Sequence, residues 1–154
     1  MINKGITMSV LVNGKPVSEY SKNGNKYIEG RKKSEYILRV YNSTYNKVLV
    51  IPSVDGLSVL DGKSASFDSP GMILDAFSGY DFTGWRTDLE HIRKFVFGSK
   101  KKSYSNKTGQ GTTNLGVIGL VAFQEKVIHN YYPISWQDPT IYNIRDYNTA
   151  DNSG

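Results

Sequence analysis

The feature of this sequence that most constrains its fold is the alternation of short apolar segments with turn-forming pairs. Segments rich in β-branched and aromatic residues are interrupted at Asn13-Gly14, Asn23-Gly24, Asp55-Gly56 and Asp61-Gly62. Such pairs tolerate the positive φ angles of tight turns between strands. There is no helix–strand alternation of the kind that builds a nucleotide-binding α/β fold. The spacing predicts an all-β chain that folds as an antiparallel β-sandwich, of jelly-roll or immunoglobulin-like type.

The chain divides into three parts. Residues 1–25 contain an apolar segment and then Pro16, which cannot donate to a strand ladder, so they are predicted to form a hairpin at a sheet edge. Residues 26–126 form the predicted sandwich body, in which 36–41 and 47–54 are expected to pair as a hairpin of two buried strands. Residues 127–154 are predicted to form an extended C-terminal arm.

The C-terminal arm combines strand-breaking residues with large apolar side chains. Pro133 and Pro139 oppose both a regular helix and a central strand. The arm is nevertheless too apolar for a solvated tail, so it is predicted to dock on a partner protein. The predicted partner-binding residues are Tyr131, Tyr132, Ile134, Trp136, Ile141, Tyr142 and Tyr147.

Positive charge and one tryptophan suggest further surface contacts. The formal net charge is +5, and Lys100, Lys101 and Lys102 lie in a stretch with almost no apolar residue, which predicts a projecting loop. Positive charge also collects in Arg31-Lys32-Lys33 and Arg93-Lys94. For all of these clusters we expect solvation or a protein contact rather than nucleic-acid binding, which needs a continuous basic footprint.

The motif Gly84-Trp85-Arg86 has two interpretations. Trp85 and Arg86 could form a surface contact, since a tryptophan beside an arginine can stack on a sugar or contact a protein. The interpretation that we favour places Trp85 as a plug at one end of the sandwich, with Arg86 reaching water or pairing with Asp88.

The residue types of common catalytic and metal sites are not present at the required spacing. The chain has no cysteine, and its two histidines, His91 and His129, belong to no spaced ligand set. The Asp-Gly pairs lack the clustered oxygen ligands of a calcium loop. We therefore predict no enzymatic activity, no catalytic residues, no cofactor and no metal. No run approaches the roughly 18 apolar residues of a membrane span, and the first residues do not predict a signal peptide.

Four strings within residues 26–126 resemble a family of small bacteriophage and prophage proteins. They are Val54-Asp55-Gly56-Leu57-Ser58-Val59-Leu60-Asp61-Gly62-Lys63, Gly84-Trp85-Arg86, Phe95-Val96-Phe97 and Gly116-Val117-Ile118-Gly119-Leu120-Val121-Ala122-Phe123. The composition, rich in Asn, Lys and Tyr, is similar to that of phages of low-GC hosts, including crAss-like phages of gut bacteria.

The resemblance implies a virion structural protein that is made in the host cytoplasm. Its implied role is that of an auxiliary, or decoration, protein that binds the capsid surface and stabilises subunit junctions. The implied partners are the major capsid protein or other virion proteins, with further copies of the chain in the assembly. The alternative is a sugar- or receptor-binding module on a head or tail fibre, which would use Trp85, Tyr80 and the lysine-rich loop; an enzyme is the third choice.

Overall fold

The computed structural model describes residues 1–98 and 115–125, together with the strand positions Ile128–His129 and Thr140–Ile141. Within these residues the regular elements are antiparallel strands, and no helix is present. Two sheets contribute side chains to one shared core. The predicted all-β, antiparallel sandwich is therefore confirmed.

The strands are numbered in chain order. They are β1 (Ile2–Asn3), β2 (Ile6–Val12), β3 (Lys15–Pro16), β4 (Glu19–Lys22), β5 (Asn25–Ile28), β6 (Glu35–Asn42), β7 (Val48–Val54), β8 (Leu57–Ser58), β9 (Met72–Leu74), β10 (Ser78–Phe82), β11 (Gly84–Arg86), β12 (Ile92–Val96), β13 (Ile118–Gln124), β14 (Ile128–His129) and β15 (Thr140–Ile141).

The larger sheet has seven strands, with β6 at its centre. Strand β2 pairs with one side of β6, while β10 and β12 pair with the other side. Strands β1 and β3 flank β2, and β11 follows β12. The smaller sheet has four strands, in which β7 lies between β13 on one side and β8 and β9 on the other. The pairs β4–β5 and β14–β15 each form a separate two-stranded sheet.

The inner faces of the two sheets share the hydrophobic core. Along β6, Leu38 and Val40 are fully buried while Arg39 between them is exposed, and β7 adds Val48 and Val50 from the opposite sheet. Burying one such side chain stabilises the fold by about 1.5–3 kcal/mol relative to leaving it in water. Since β6 and β7 lie in different sheets, this burial holds the two sheets together.

The predicted strands over 36–41 and 47–54 are confirmed as β6 and β7, but their predicted pairing as a hairpin is wrong. Strand β6 belongs to the larger sheet and β7 to the smaller one. The physical reason is that each strand has an apolar inner face, and facing each other across the core buries both faces at once. The link over residues 43–47 is therefore an arch between two sheets.

The buried side chain of Asn42, at the end of β6, fixes this arch. Its amide nitrogen donates to the carbonyl of Asn46 at 2.8 Å and to that of Asp75 at 3.0 Å, just after β9. Its amide oxygen accepts from the N–H of Thr44 at 3.0 Å and from the hydroxyl of Thr44 at 2.7 Å. One amide group thus ties the larger sheet, the arch and the end of a strand of the smaller sheet together.

The predicted edge hairpin near the start of the chain is confirmed. Asn13 and Gly14 form its turn with φ angles of 52° and 76°. Pro16 follows in β3, opposite Leu11 on the outer side of β2. Strand β2 itself delivers apolar side chains to the common core, so this strand is built into the sandwich.

Two short stretches of the predicted arm are described. Ile128 pairs with Ile141 and His129 pairs with Thr140, so these stretches lie side by side as antiparallel strands. Pairing of this kind satisfies backbone N–H and C=O groups. The rest of residues 127–154 lies outside the described residues, so the extended docking arm stays a prediction.

We expect Asn42→Ala to lower the free energy of unfolding by about 3 kcal/mol, because it leaves buried carbonyls and the Thr44 donors without their partner. Chemical denaturation followed by circular dichroism measures this. Asn25→Ala, at an exposed position, is the matched control and should change stability by less than about 0.5 kcal/mol. An Asn42→Ala protein as stable as the control would show that the amide does not hold the arch.

Candidate binding surfaces

Most of the predicted contact residues lie outside the described residues. This holds for Tyr131, Tyr132, Ile134, Trp136, Tyr142 and Tyr147 in the arm and for Lys100, Lys101 and Lys102 in the predicted loop. Ile141 is described as a strand position in β15. The roles of these residues therefore stay predictions.

Trp85 is a core residue, so its interpretation as a surface contact is wrong and its interpretation as a plug is confirmed. It is 4% exposed, and its ring meets that of Phe95 edge-on at 4.9 Å. Its indole N–H donates to the carbonyl of Val54, in the smaller sheet, at 3.3 Å. The side chain therefore closes the core with both its apolar ring and its polar atom satisfied.

Arg86, the last residue of β11, forms a hydrogen bond with the turn that follows this strand. Its guanidinium donates to the carbonyl of Leu89 at 3.2 Å. The pKa of Asp88 in the same turn is lowered by the N–H of Glu90, by the side chain of His91 and by the nearby positive charge of Arg86. Arg86 therefore stabilises the turn, and a contact between Arg86 and a partner stays a prediction.

The outer face of the larger sheet is polar at its centre. Ser9, Arg39 and Asp81 stand side by side across β2, β6 and β10. Arg39 donates to both carboxylate oxygens of Asp81, at 2.7 and 2.8 Å, and these hydrogen bonds lower the pKa of Asp81. This is the usual outer face of an antiparallel sheet that meets water.

The outer face of the smaller sheet is apolar instead. Ile73, Leu49 and Phe123 form a row across β9, β7 and β13, and Ile51 and Val121 form the neighbouring row. Ile73 is 58% exposed, whereas Ile51 is buried although it points away from the core between the sheets. Strand β7 is thus apolar on both faces, which is typical of strands covered on both sides.

Phe67 extends this apolar surface. Phe67 belongs to the link between β8 and β9, and both of these strands lie on one side of β7. Its ring nevertheless meets the ring of Phe123 edge-on at 6.4 Å, and Phe123 belongs to β13 on the other side of β7. The link therefore crosses the outer side of β7, and Phe67 remains 60% exposed there. We define the outer apolar face by Leu49, Phe67, Ile73, Val121 and Phe123.

Sequence reasoning missed this face, although a signal for it was present. The β7 sequence Val-Leu-Val-Ile-Pro-Ser-Val is a nearly continuous apolar run rather than an alternation. An antiparallel strand with one face in water alternates apolar and polar residues, so a continuous run indicates a second covered face. Phe67 carries no such signal, because its position over the sheet depends on the path of the link.

A second exposed aromatic pair lies near the arch between the sheets. Tyr45 is 88% exposed and meets Phe77 edge-on at 4.9 Å. Phe77 has a φ angle of 53°, which is unfavourable for a bulky aromatic residue. Strain of this kind persists where surrounding structure enforces it, and it motivates a binding hypothesis for this pair.

Two titratable side chains at the opposite end of the sandwich, Asp55 and Tyr36, are affected by burial. Burial raises the pKa of Asp55, while a hydrogen bond from the N–H of Gly116 at 2.7 Å opposes this rise. Burial also raises the pKa of Tyr36, whose phenol stays neutral at ordinary pH. Asp55, which follows β7, thus holds Gly116, which lies just before β13. Within residues 1–98 and 115–125 no three acidic, histidine or cysteine side chains cluster as metal ligands would.

Comparison with known proteins adds no relative. No family model matches the chain, and searches of curated proteins and of solved structures find no significant match. Among the described residues there is no helix with the length and apolar character to cross a membrane.

We expect Trp85→Ala to lower the free energy of unfolding by about 3–5 kcal/mol, because it empties a large site in the core. Trp85→Phe keeps an aromatic ring and should cost less. Ile73→Ala, on the outer apolar face, should cost under about 1 kcal/mol, since this side chain is already half in water. Denaturant titration measures all three; equal losses for Trp85→Ala and Ile73→Ala would contradict the distinction between core and outer face.

Proposed function

We propose that this chain is a non-enzymatic virion structural protein, an auxiliary protein that binds a capsid surface and stabilises the junctions between subunits. The observation that carries this proposal is the outer apolar face of the smaller sheet. The resemblance of residues 26–126 to small phage proteins supplies the biological setting. The partner is the major capsid protein or a neighbouring virion protein.

The outer apolar face has the composition of a protein-binding surface. Phe67 and Ile73 are both more than half exposed, and half-buried Leu49 and Val121 join them into one patch. Interface cores are rich in aromatic and aliphatic side chains and are surrounded by a polar rim. Covering such side chains yields about 25 cal/mol per Å² of apolar area, before the costs of ordering and association.

The C-terminal arm begins at the same sheet. Strand β13 ends at Gln124, beside Val48 of β7, and β14 follows only a few residues later. The arm therefore starts from a strand that contributes to the outer apolar face. We propose that the face and the arm bind neighbouring parts of the particle, so that the two contacts reinforce each other through a high effective concentration.

We expect the double variant Phe67→Asp/Ile73→Asp to fold normally but to lose binding to particles of the phage whose genome encodes the chain. Two carboxylates would be desolvated in the interface, which is costly unless each is paired. Co-sedimentation of the purified chain with particles, with quantification of the bound copies, measures the loss.

The matched control is Tyr45→Asp/Leu89→Asp, which makes the same change of charge at two side chains that are even more exposed. It should bind like the unchanged protein. If the control loses binding and the first variant retains it, the outer apolar face is not the docking surface and the surface that contains Tyr45 is.

We also expect a chain that ends at Lys126 to fold and to lose particle binding. Among the described residues the buried core cluster lies between Ile6 and Ala122, and the truncated chain keeps all of its members. Thermal unfolding followed by circular dichroism tests whether the truncated chain folds, and co-sedimentation tests whether it still binds particles. An unfolded or aggregated truncated chain would show that the arm completes the sandwich, and one that still binds would show that the arm is not a docking element.

A second candidate function is carbohydrate or receptor binding. Trp85 is buried and cannot serve it, but Tyr45 and Phe77 present two exposed rings of the kind that pack against sugars. Titration with glycans and Tyr45→Ala as the test variant would support this function if binding is saturable and is lost in the variant.

A further inference from the structure

One exposed segment near the start of the chain is strongly basic. Residues 15–33 contain six of the 19 basic side chains, Lys15, Lys22, Lys26, Arg31, Lys32 and Lys33, and two acidic ones, Glu19 and Glu29. The net charge of this segment is therefore +4. All six basic residues are exposed, and none of them forms an ion pair with a described residue.

This segment is built around a hairpin that belongs to neither sheet of the sandwich. Strands β4 and β5 pair only with each other among the described strands, around the turn Asn23-Gly24. A two-stranded hairpin by itself is marginally stable in water. Here Val17 and Ile28, at its base, pack against the core, and the carboxylate of Glu19 lies 2.7 Å from the N-terminal ammonium.

The register of the hairpin separates an anchored face from an outward face. Glu19 pairs with Ile28, so these two anchoring residues share one face. Tyr20 pairs with Tyr27, so both rings stand on the opposite face, together with Lys22 two residues further along β4. Tyr20 and Tyr27 are 54% and 51% exposed.

We propose that this hairpin is a binding site for single-stranded nucleic acid. The rings of Tyr20 and Tyr27 stack on bases, while Lys22 on the same face and the turn at Arg31–Lys33 contact phosphates. Base stacking on aromatic side chains together with a basic surface along the backbone is the general mode of sequence-tolerant single-strand binding.

The combination of groups favours nucleic acid over an acidic protein surface. An acidic protein would be attracted by the lysines alone, and it would leave the flat faces of two adjacent tyrosines without a matching π surface. A single strand presents phosphates and unpaired base faces at the same time, so it matches both parts of the hairpin. Separate charged clusters in the sequence disfavoured a nucleic-acid site. The hairpin register adds Lys22 to the face that carries Tyr20 and Tyr27, while Lys26, opposite Ser21, stands on the anchored face.

The test uses the full chain and a fluorescently labelled thymidine oligonucleotide, with anisotropy measured at several salt concentrations. Each neutralised phosphate of a single strand contributes about −0.7 to the slope of log affinity against log salt. With four phosphates contacted, affinity should fall roughly 50-fold between 50 and 200 mM salt. A duplex of the same length should bind more weakly, because its bases are not available for stacking.

Two pairs of variants separate stacking from charge. Tyr20→Ala/Tyr27→Ala should lose about tenfold or more in affinity with an unchanged salt slope, and Tyr20→Phe/Tyr27→Phe should retain most of it. Lys22→Gln/Lys32→Gln should reduce the salt slope by about 1.4. The matched control, Lys47→Gln/Lys94→Gln, makes the same change in net charge at residues that face Asp75 and Glu35, and it should leave affinity within about twofold.

Loss of affinity in the control equal to that in Lys22→Gln/Lys32→Gln would overturn the proposal, since binding would then reflect net charge alone. Equal binding of polyglutamate and oligonucleotide, with no effect of Tyr20→Ala/Tyr27→Ala, would assign the hairpin to an acidic protein instead. Thermal unfolding of each variant confirms that these exposed substitutions leave the sandwich folded.

Discussion

The amide side chain of Asn42 lies where the chain passes from the larger sheet to the smaller one, and its hydrogen bonds hold the ends of both sheets together. It binds backbone carbonyls on the arch and just after β9, and it accepts from both donors of Thr44. A buried amide is stable only when its groups are paired, so this arrangement specifies one path for the chain. With that path fixed, β6 and β7 face each other across the core instead of pairing.

The passage of the chain from the larger sheet to the smaller one determines which surfaces the protein presents. The outer face of the larger sheet is polar and is centred on the Arg39–Asp81 pair. The smaller sheet shows an apolar outer face, and the basic β4–β5 hairpin is anchored at the edge of the larger sheet through Glu19 and the N-terminus. The apolar face therefore belongs to the smaller sheet, whereas the hairpin lies beside the larger sheet, and one copy of the chain offers both surfaces. A docking protein with a second, charged contact fits this arrangement.

Local signals predicted the strands and turns well. Asparagine–glycine and aspartate–glycine pairs identify turns because few other residues adopt positive φ, and Asn13, Asn23 and Asp55 all do so here. Which strands pair with each other was harder to predict from the sequence, because the arch after β6 has the composition of an ordinary polar turn. The candidate surfaces were predicted only in part, since Trp85 proved to be core and Phe67 and the Tyr20–Tyr27 pair were not identified.

The sequence by itself determined the all-β class, the edge position of the strand with Pro16 and the absence of cysteine chemistry, because each depends on local backbone preference or on residue type. Only the tertiary structure decided that β7 faces β6 across a core, that the link with Phe67 crosses the outer side of the smaller sheet, and that Tyr20 and Tyr27 stand on one face. These depend on contacts between residues far apart in the chain or on strand register. Periodicity along the sequence constrains which side chains share a face of one strand, but it does not specify which other strand, loop or molecule that face will meet.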